Sequence, residues 1–158
     1  MRKIIQSQIP VHGHLSVILT SGDGSQRTVD LGDNTPCQAF LNALAAWSVG
    51  INNTGQNPVS PPTQFILGTG TGTPKVGDTS LFTPQAGTQT VINARTSSTN
   101  TSTLTINYNK GQLNSIFTEA GLLDNSSNLM AHLVFQSSIT IQDTEAATFI
   151  WTETFNAG

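Results

Sequence analysis

The chain has 158 residues and a formal charge of −3, and only 9% of its residues are charged, against about 25% in a typical soluble protein. Six Lys and Arg are too few to build the basic face that nucleic-acid backbones require. A single cysteine excludes an internal disulfide framework, and no apolar run approaches the ~20 residues that span a bilayer as a helix. Ser, Thr and Asn make up about a third of the chain. Such a surface has a low desolvation cost and suits packing against other protein surfaces.

Residues 1–13 show no clear periodicity and contain Pro10 and Gly13, which reads as an extended N-terminal arm. Its start, Met1-Arg2-Lys3-Ile4-Ile5, has no apolar stretch of signal-peptide length, so synthesis in a cytoplasm is the expectation. From His14 to Thr20, Leu15, Val17 and Leu19 alternate as in a half-buried strand, and a turn at Ser21–Gly24 leads to a return strand over 26–31. Thr35-Pro36-Cys37-Gln38 has the form of a capping box with proline at the first helical position. Cys37, Phe40, Leu41, Leu44 and Ser48 then recur at helical spacing, predicting a helix over about 36–49.

A polar, proline-containing loop (52–62) follows, then a short buried strand over 65–68 that runs into Gly68-Thr69-Gly70-Thr71-Gly72. From residue 88 onward the pattern is all β, with strands expected over 88–96, 103–109, 112–118, 128–142 and 147–155. The expected fold is therefore mainly β. It is an antiparallel sandwich or barrel-like domain over 14–158, with one helix packed on it.

The glycine–threonine run invites comparison with a phosphate loop, but Pro74 follows and Lys75 precedes Val76, so neither the dinucleotide nor the P-loop pattern is met. Gly68, Gly70 and Gly72 are read as a structural loop in which glycine supplies positive φ, with Asp78 and Thr79 as the turn that fixes it. No cofactor motif is present. His12 and His14 offer two imidazoles where a metal site needs three or four ligands, and no metal is expected. His132 falls opposite Leu133 by alternation, which predicts an exposed or interfacial position. Glu119 and Asp124 could form an acid–base pair, yet the residues between them read as a strand end and a turn. Glu153 alternates with Trp151 and Phe155, so a buried carboxylate is expected to find a partner in Arg95, His132 or a neighbouring subunit, or to turn outward at a bulge. No catalytic residues emerge.

Four segments in order resemble a known group. They are Phe65-Ile66-Leu67-Gly68-Thr69-Gly70-Thr71, Asp78-Thr79-Ser80-Leu81, Phe117-Thr118-Glu119-Ala120-Gly121-Leu122-Leu123-Asp124 and Trp151-Thr152-Glu153-Thr154-Phe155. Over about residues 38–155 the chain is similar to small structural proteins of tailed bacteriophages. The resemblance implies a non-enzymatic virion component made in the host cytoplasm, with a capsid decoration (cement) protein as the first expectation and a tail or fibre component, including a receptor-binding one, as the second. Expected partners are the major capsid protein or other virion proteins and further copies of the chain, as a trimer, with no nucleic acid or membrane. Ile4, Ile5, Ile9 and Val11 of the arm are the expected interface residues, on their apolar character. A carbohydrate-binding module would want more exposed aromatics than one Tyr and two Trp supply, and a hydrolase lacks a readable triad.

Overall fold

The computed structural model describes residues 11–48 and 60–155, which form nine antiparallel strands and one helix. In chain order these are β1 (Val11–Thr20), β2 (Gln26–Pro36), α1 (Gln38–Ser48), β3 (Gln64–Gly68), β4 (Thr90–Val91), β5 (Ala94–Ser98), β6 (Thr101–Tyr108), β7 (Ser115–Leu123), β8 (Leu129–Ile141) and β9 (Ala146–Phe155). They hydrogen-bond in the order β4-β3-β7-β8-β2-β1-β9-β6-β5.

The two ends of that order, β4 and β5, are separated in sequence by Ile92 and Asn93 alone. The Ile92 amide donates to the Thr63 carbonyl beside β3, and the Asn93 amide donates to the Thr105 carbonyl of β6. Two adjacent amides thus bond to opposite ends of the sheet, and the sheet must curl into a half-barrel for them to do so. The mainly β fold with one helix expected from the sequence is the fold observed.

β2 turns the other corner. Leu15 pairs with Gly32 and Ser16 with Asp30, so Leu31 is the extra residue of a bulge. Gly32 adopts φ +106, and its amide is held by the Asp30 carboxylate at 2.9 Å. Beyond the bulge β2 stays on β1 through Asn34, opposite Gly13, and then pairs with β8 through Thr35 and Pro36. The predicted strand end at residue 31 is therefore a bend, and the strand runs five residues further.

That extension removes the predicted helix cap. Thr35 pairs with His132 in the sheet. The Cys37 amide donates to the Met130 carbonyl, the Gln38 amide to the Val76 carbonyl, and the first helical turn closes on the Cys37 carbonyl. Tertiary carbonyls satisfy the orphan donors that a Thr–Gln box would otherwise hold. The helix begins two residues later than expected, and it turns Phe40, Ala43, Leu44 and Trp47 toward the core.

The arm also changes. Val11 opens β1 opposite Phe155, and His12 and Gly13 continue the ladder, so these three residues belong to the sheet. Val11 is half-buried and packs against the main core. Ile4, Ile5 and Ile9 lie outside the described residues.

The main core fills the curl, around Phe65, Phe117, Phe149 and Trp151. Phe65 touches both Phe149, at 5.0 Å between ring centroids, and Trp151, at 6.3 Å edge-on. A second, smaller cluster of Cys37, Leu81, Leu123 and Leu129 sits apart from it. Leu129 joins this second cluster while Ala131 and Leu133 join the main core, with the β7–β8 register shifting between Leu122 and Leu123.

Candidate functional site

Segment 69–83 holds most of the glycine–threonine run and the Asp78-Thr79 turn, and it packs on β7 and β8. Glu119 of β7 is the centre of the contact. The sequence pattern ends the strand near this residue, yet β7 continues through Leu123, and Glu119 is 0% exposed. One carboxylate oxygen, Oε1, accepts from the amides of Gly70 at 2.9 Å and Thr83 at 2.7 Å. The other, Oε2, accepts from the Phe82 amide at 3.0 Å and from His132 Nε2 at 2.9 Å. Four donors match the roughly four lone-pair sites of an ionised carboxylate. The Thr118 hydroxyl adds a bond to the Gly70 carbonyl at 2.7 Å.

His132 is likewise 0% exposed, which corrects its expected surface position. Its Nδ1 meets Asp78 Oδ2 at 2.8 Å, so both ring nitrogens face carboxylates. The ring thereby bridges the loop carboxylate of Asp78 and the strand carboxylate of Glu119. The Phe82 ring covers it at 4.6 Å between centroids. Asp78 also accepts the Lys75 amide at 2.9 Å, the turn-fixing role expected of it. Thr79 is exposed beside it.

The glycines need a different explanation from the expected one. Among the described glycines, positive φ occurs at Gly24, Gly32, Gly87 and Gly111, not in the loop. A Cβ on Gly68 would lie 2.6 Å from the Thr83 carbonyl oxygen, and one on Gly70 would lie 2.6 Å from Glu119 Oε1. One on Gly72 would meet the Phe82 ring at 2.6 Å. Close approach to the carboxylate and the returning backbone requires glycine here.

The other end of the motif is equally occupied. Asp124 Oδ1 accepts the amides of Ser126 and Asn128, both at 2.8 Å, and Oδ2 accepts Asn128 Nδ2 at 2.8 Å. Asp124 therefore closes the β7–β8 turn and does not pair with Glu119. Gly121 lets Leu129 and Leu81 pack onto the strand, since a Cβ there would meet them at 2.7 and 2.9 Å.

An imidazole between two carboxylates invites comparison with a catalytic triad, for which Cys37 is the nearest thiol. Burial, helped by the Asp78 charge, pushes that thiol up to about 12. At neutral pH it is protonated and a poor nucleophile. We expect Cys37 to resist iodoacetamide at pH 8 in the folded protein and to react once urea unfolds it, which mass spectrometry would read directly. Elsewhere, His14 pairs with Asp33 at 2.9 Å and Asp30 at 3.3 Å on the surface. Among the described residues no group of three or more His, Cys, Asp or Glu is placed to hold a metal, and no helix is long and apolar enough to cross a membrane.

Glu153 is buried, as alternation predicts, but its partners are not those expected. Trp151 Nε1 donates to its Oε1 at 2.8 Å and Asn34 Nδ2 at 2.9 Å. His132 is committed to Glu119 and Asp78, and Arg95 donates to the Pro62 carbonyl at 2.7 Å. Burial raises the Glu153 carboxyl above its ordinary 4.5, and the Trp151 and Asn34 bonds only partly offset it. With the folded value raised, the folded state holds more protons than the unfolded one just above 4.5, so stability falls as pH rises through that window. Glu153→Gln should therefore be more stable than the parent at neutral pH, with the gap closing as pH falls toward 4.5, measured by urea titrations across pH.

Comparison of the chain with protein-family models, with curated proteins and with solved structures gives no match.

Proposed function

We propose that the chain is a non-enzymatic structural protein of a tailed-bacteriophage virion, acting as a capsid decoration protein that binds and stabilises the assembled shell. One observation carries this reading beyond the resemblance in sequence. The residues that make up the resembling pattern, Gly70, Asp78, Leu81, Glu119, Gly121 and Asp124, meet one another or close turns. Their polar atoms are spent on holding a loop and a turn, which is the work of a scaffold and leaves Glu119 without an acceptor site for a substrate. The pattern encodes shape.

The surface suits assembly. β5 ends the sheet, and all five of its residues, Ala94-Arg95-Thr96-Ser97-Ser98, are exposed. An open edge with small hydroxyl side chains at Thr96, Ser97 and Ser98 can accept a strand from a neighbour. Large apolar side chains are also exposed at Phe82, Val91 and Ile116.

Quantitative mass spectrometry of purified particles tests the reading. Copies in the hundreds, in fixed ratio to the major capsid protein, are expected for decoration. A handful of copies would move the assignment to tail or fibre, and absence from particles would overturn it. Removing residues 1–10, which leaves β1 intact, should weaken binding to shells if Ile4, Ile5 and Ile9 serve as the contact.

A further inference from the structure

A cavity of about 360 Å³ lies between α1 and the strands, with Glu153 in its wall. Its volume is at the small end of the ~300–1,000 Å³ typical of ligand sites. Phe40 and Trp47 of α1 form one side, and Leu104, Leu122 and Met130 form much of the rest. We propose that this cavity binds a small amphipathic amine, whose apolar body fills the space and whose ammonium sits against the Glu153 carboxylate.

Glu153 carries the argument. The residue is 5% exposed, and while Oε1 has two donors, Oε2 has no hydrogen-bond partner among the described residues. The same fold shows how it treats a buried carboxylate that serves structure, for Glu119 receives four donors, two on each oxygen. Glu153 receives half that number, beside a space large enough for another molecule. A buried, half-satisfied carboxylate is costly unless something binds it.

The sign of the missing charge follows. Arg95 is the one cation lining the cavity among the described residues, and its Nη2 is committed to the Pro62 carbonyl. It is absent from the bonds that Glu153 makes. An anionic ligand would be repelled by Glu153, and a neutral donor would fill Oε2 but leave the charge uncompensated. An ammonium does both, and the aromatic walls of Phe40, Trp47 and Phe155 favour a cation further. Because burial is the main cause of the raised Glu153 carboxyl, an adjacent cation would also return it to its ionised form.

The test uses the full chain and three matched probes, 2-phenylethylamine, 2-phenylethanol and 3-phenylpropionate, by calorimetry and ligand-observed NMR. The amine should bind saturably, the alcohol at least tenfold more weakly, and the acid not at all. Glu153→Gln should lose tenfold or more in amine affinity while its thermal unfolding remains cooperative. Ser102→Phe, which fills the cavity from β6 opposite Glu153, should lose amine binding without touching the carboxylate. Absent amine binding, equal binding of alcohol or acid, or undiminished binding by either variant would overturn the proposal. If Glu153→Gln does not fold, retained affinity in Ser102→Phe alone overturns it. Neither result bears on the virion reading, which particle composition decides.

Discussion

Glu119→Gln should destabilise the protein by ~3–5 kcal/mol, the range found when one member of a buried charge pair is removed. The glutamine oxygen can still accept from two of the four donors around Glu119, but its NH2 group would face the rest, amide N–H or imidazole N–H against N–H. His132, 0% exposed between two carboxylates, would lose one of them. A loss of that size is a large part of the ~5–15 kcal/mol that holds a typical domain together. Urea denaturation should show a lower midpoint with an unchanged slope. A variant within ~0.5 kcal/mol of the parent, the scatter of a neutral surface change, would mean that the network contributes nothing.

The network should also behave as a unit. Adding His132→Phe to Glu119→Gln should cost less than the two changes summed, because each removes the other's partner. Asp78 gives the pH signature. Burial alone would raise its carboxyl, but the Lys75 amide, the bond and charge of His132, and the Lys75 charge together hold it below its ordinary 3.8. A depressed carboxyl contributes stability that is complete above 3.8 and is lost as pH falls through the folded value. Asp78→Asn should flatten that acid limb while leaving the Glu153 window above 4.5 in place.

Where one face of a strand meets solvent, the sequence is readable. β1 alternates Leu15, Val17 and Leu19, and β9 alternates Ala147, Phe149, Trp151 and Glu153, and both have the alternating burial expected. Glu119 to Leu123 defeats the same reading because all five residues are buried, so alternation vanishes where segment 69–83 covers the outer face. Alternation misplaces His132 for that reason too, since β8 is buried from Leu129 to Leu133. The loop partners of Glu119 lie 36 to 49 residues away along the chain, and no local spacing encodes them. A signal does exist: a glutamate within a β-strand pattern, in a chain with six basic residues, has few cations to pair with. Backbone amides freed by a glycine-rich loop are the remaining supply. Glu153 is legible as a problem, and its answer, an indole on its own strand and an amide from β2, is not.

The loop glycines offer the sharpest test, because two explanations rank the same substitutions differently. If positive φ were their purpose, alanine would strain each of them alike; if close approach is, the cost depends on what the new methyl meets. Gly68→Ala should be the worst, at roughly 2–3 kcal/mol, because its Cβ falls 2.6 Å from the Thr83 carbonyl oxygen, a backbone atom tied into the loop by the Thr69 amide. Gly70→Ala should come next, displacing the Glu119 carboxylate and the Phe82 Cβ, which lies 2.4 Å away. Gly72→Ala meets only the outer part of the Phe82 ring, which is 42% exposed and can swing aside. Gly77, in the same segment, has nothing within 4 Å of an added methyl and no positive φ, so Gly77→Ala should be neutral or stabilise by ~0.4–1 kcal/mol through the unfolded chain. Equal losses at all four positions, or a loss at Gly77 as large as at Gly68, would sink the close-approach account. The expected order ties the glycine run to Glu119 directly: the loop is glycine-rich because a buried carboxylate must come within hydrogen-bonding distance of its backbone.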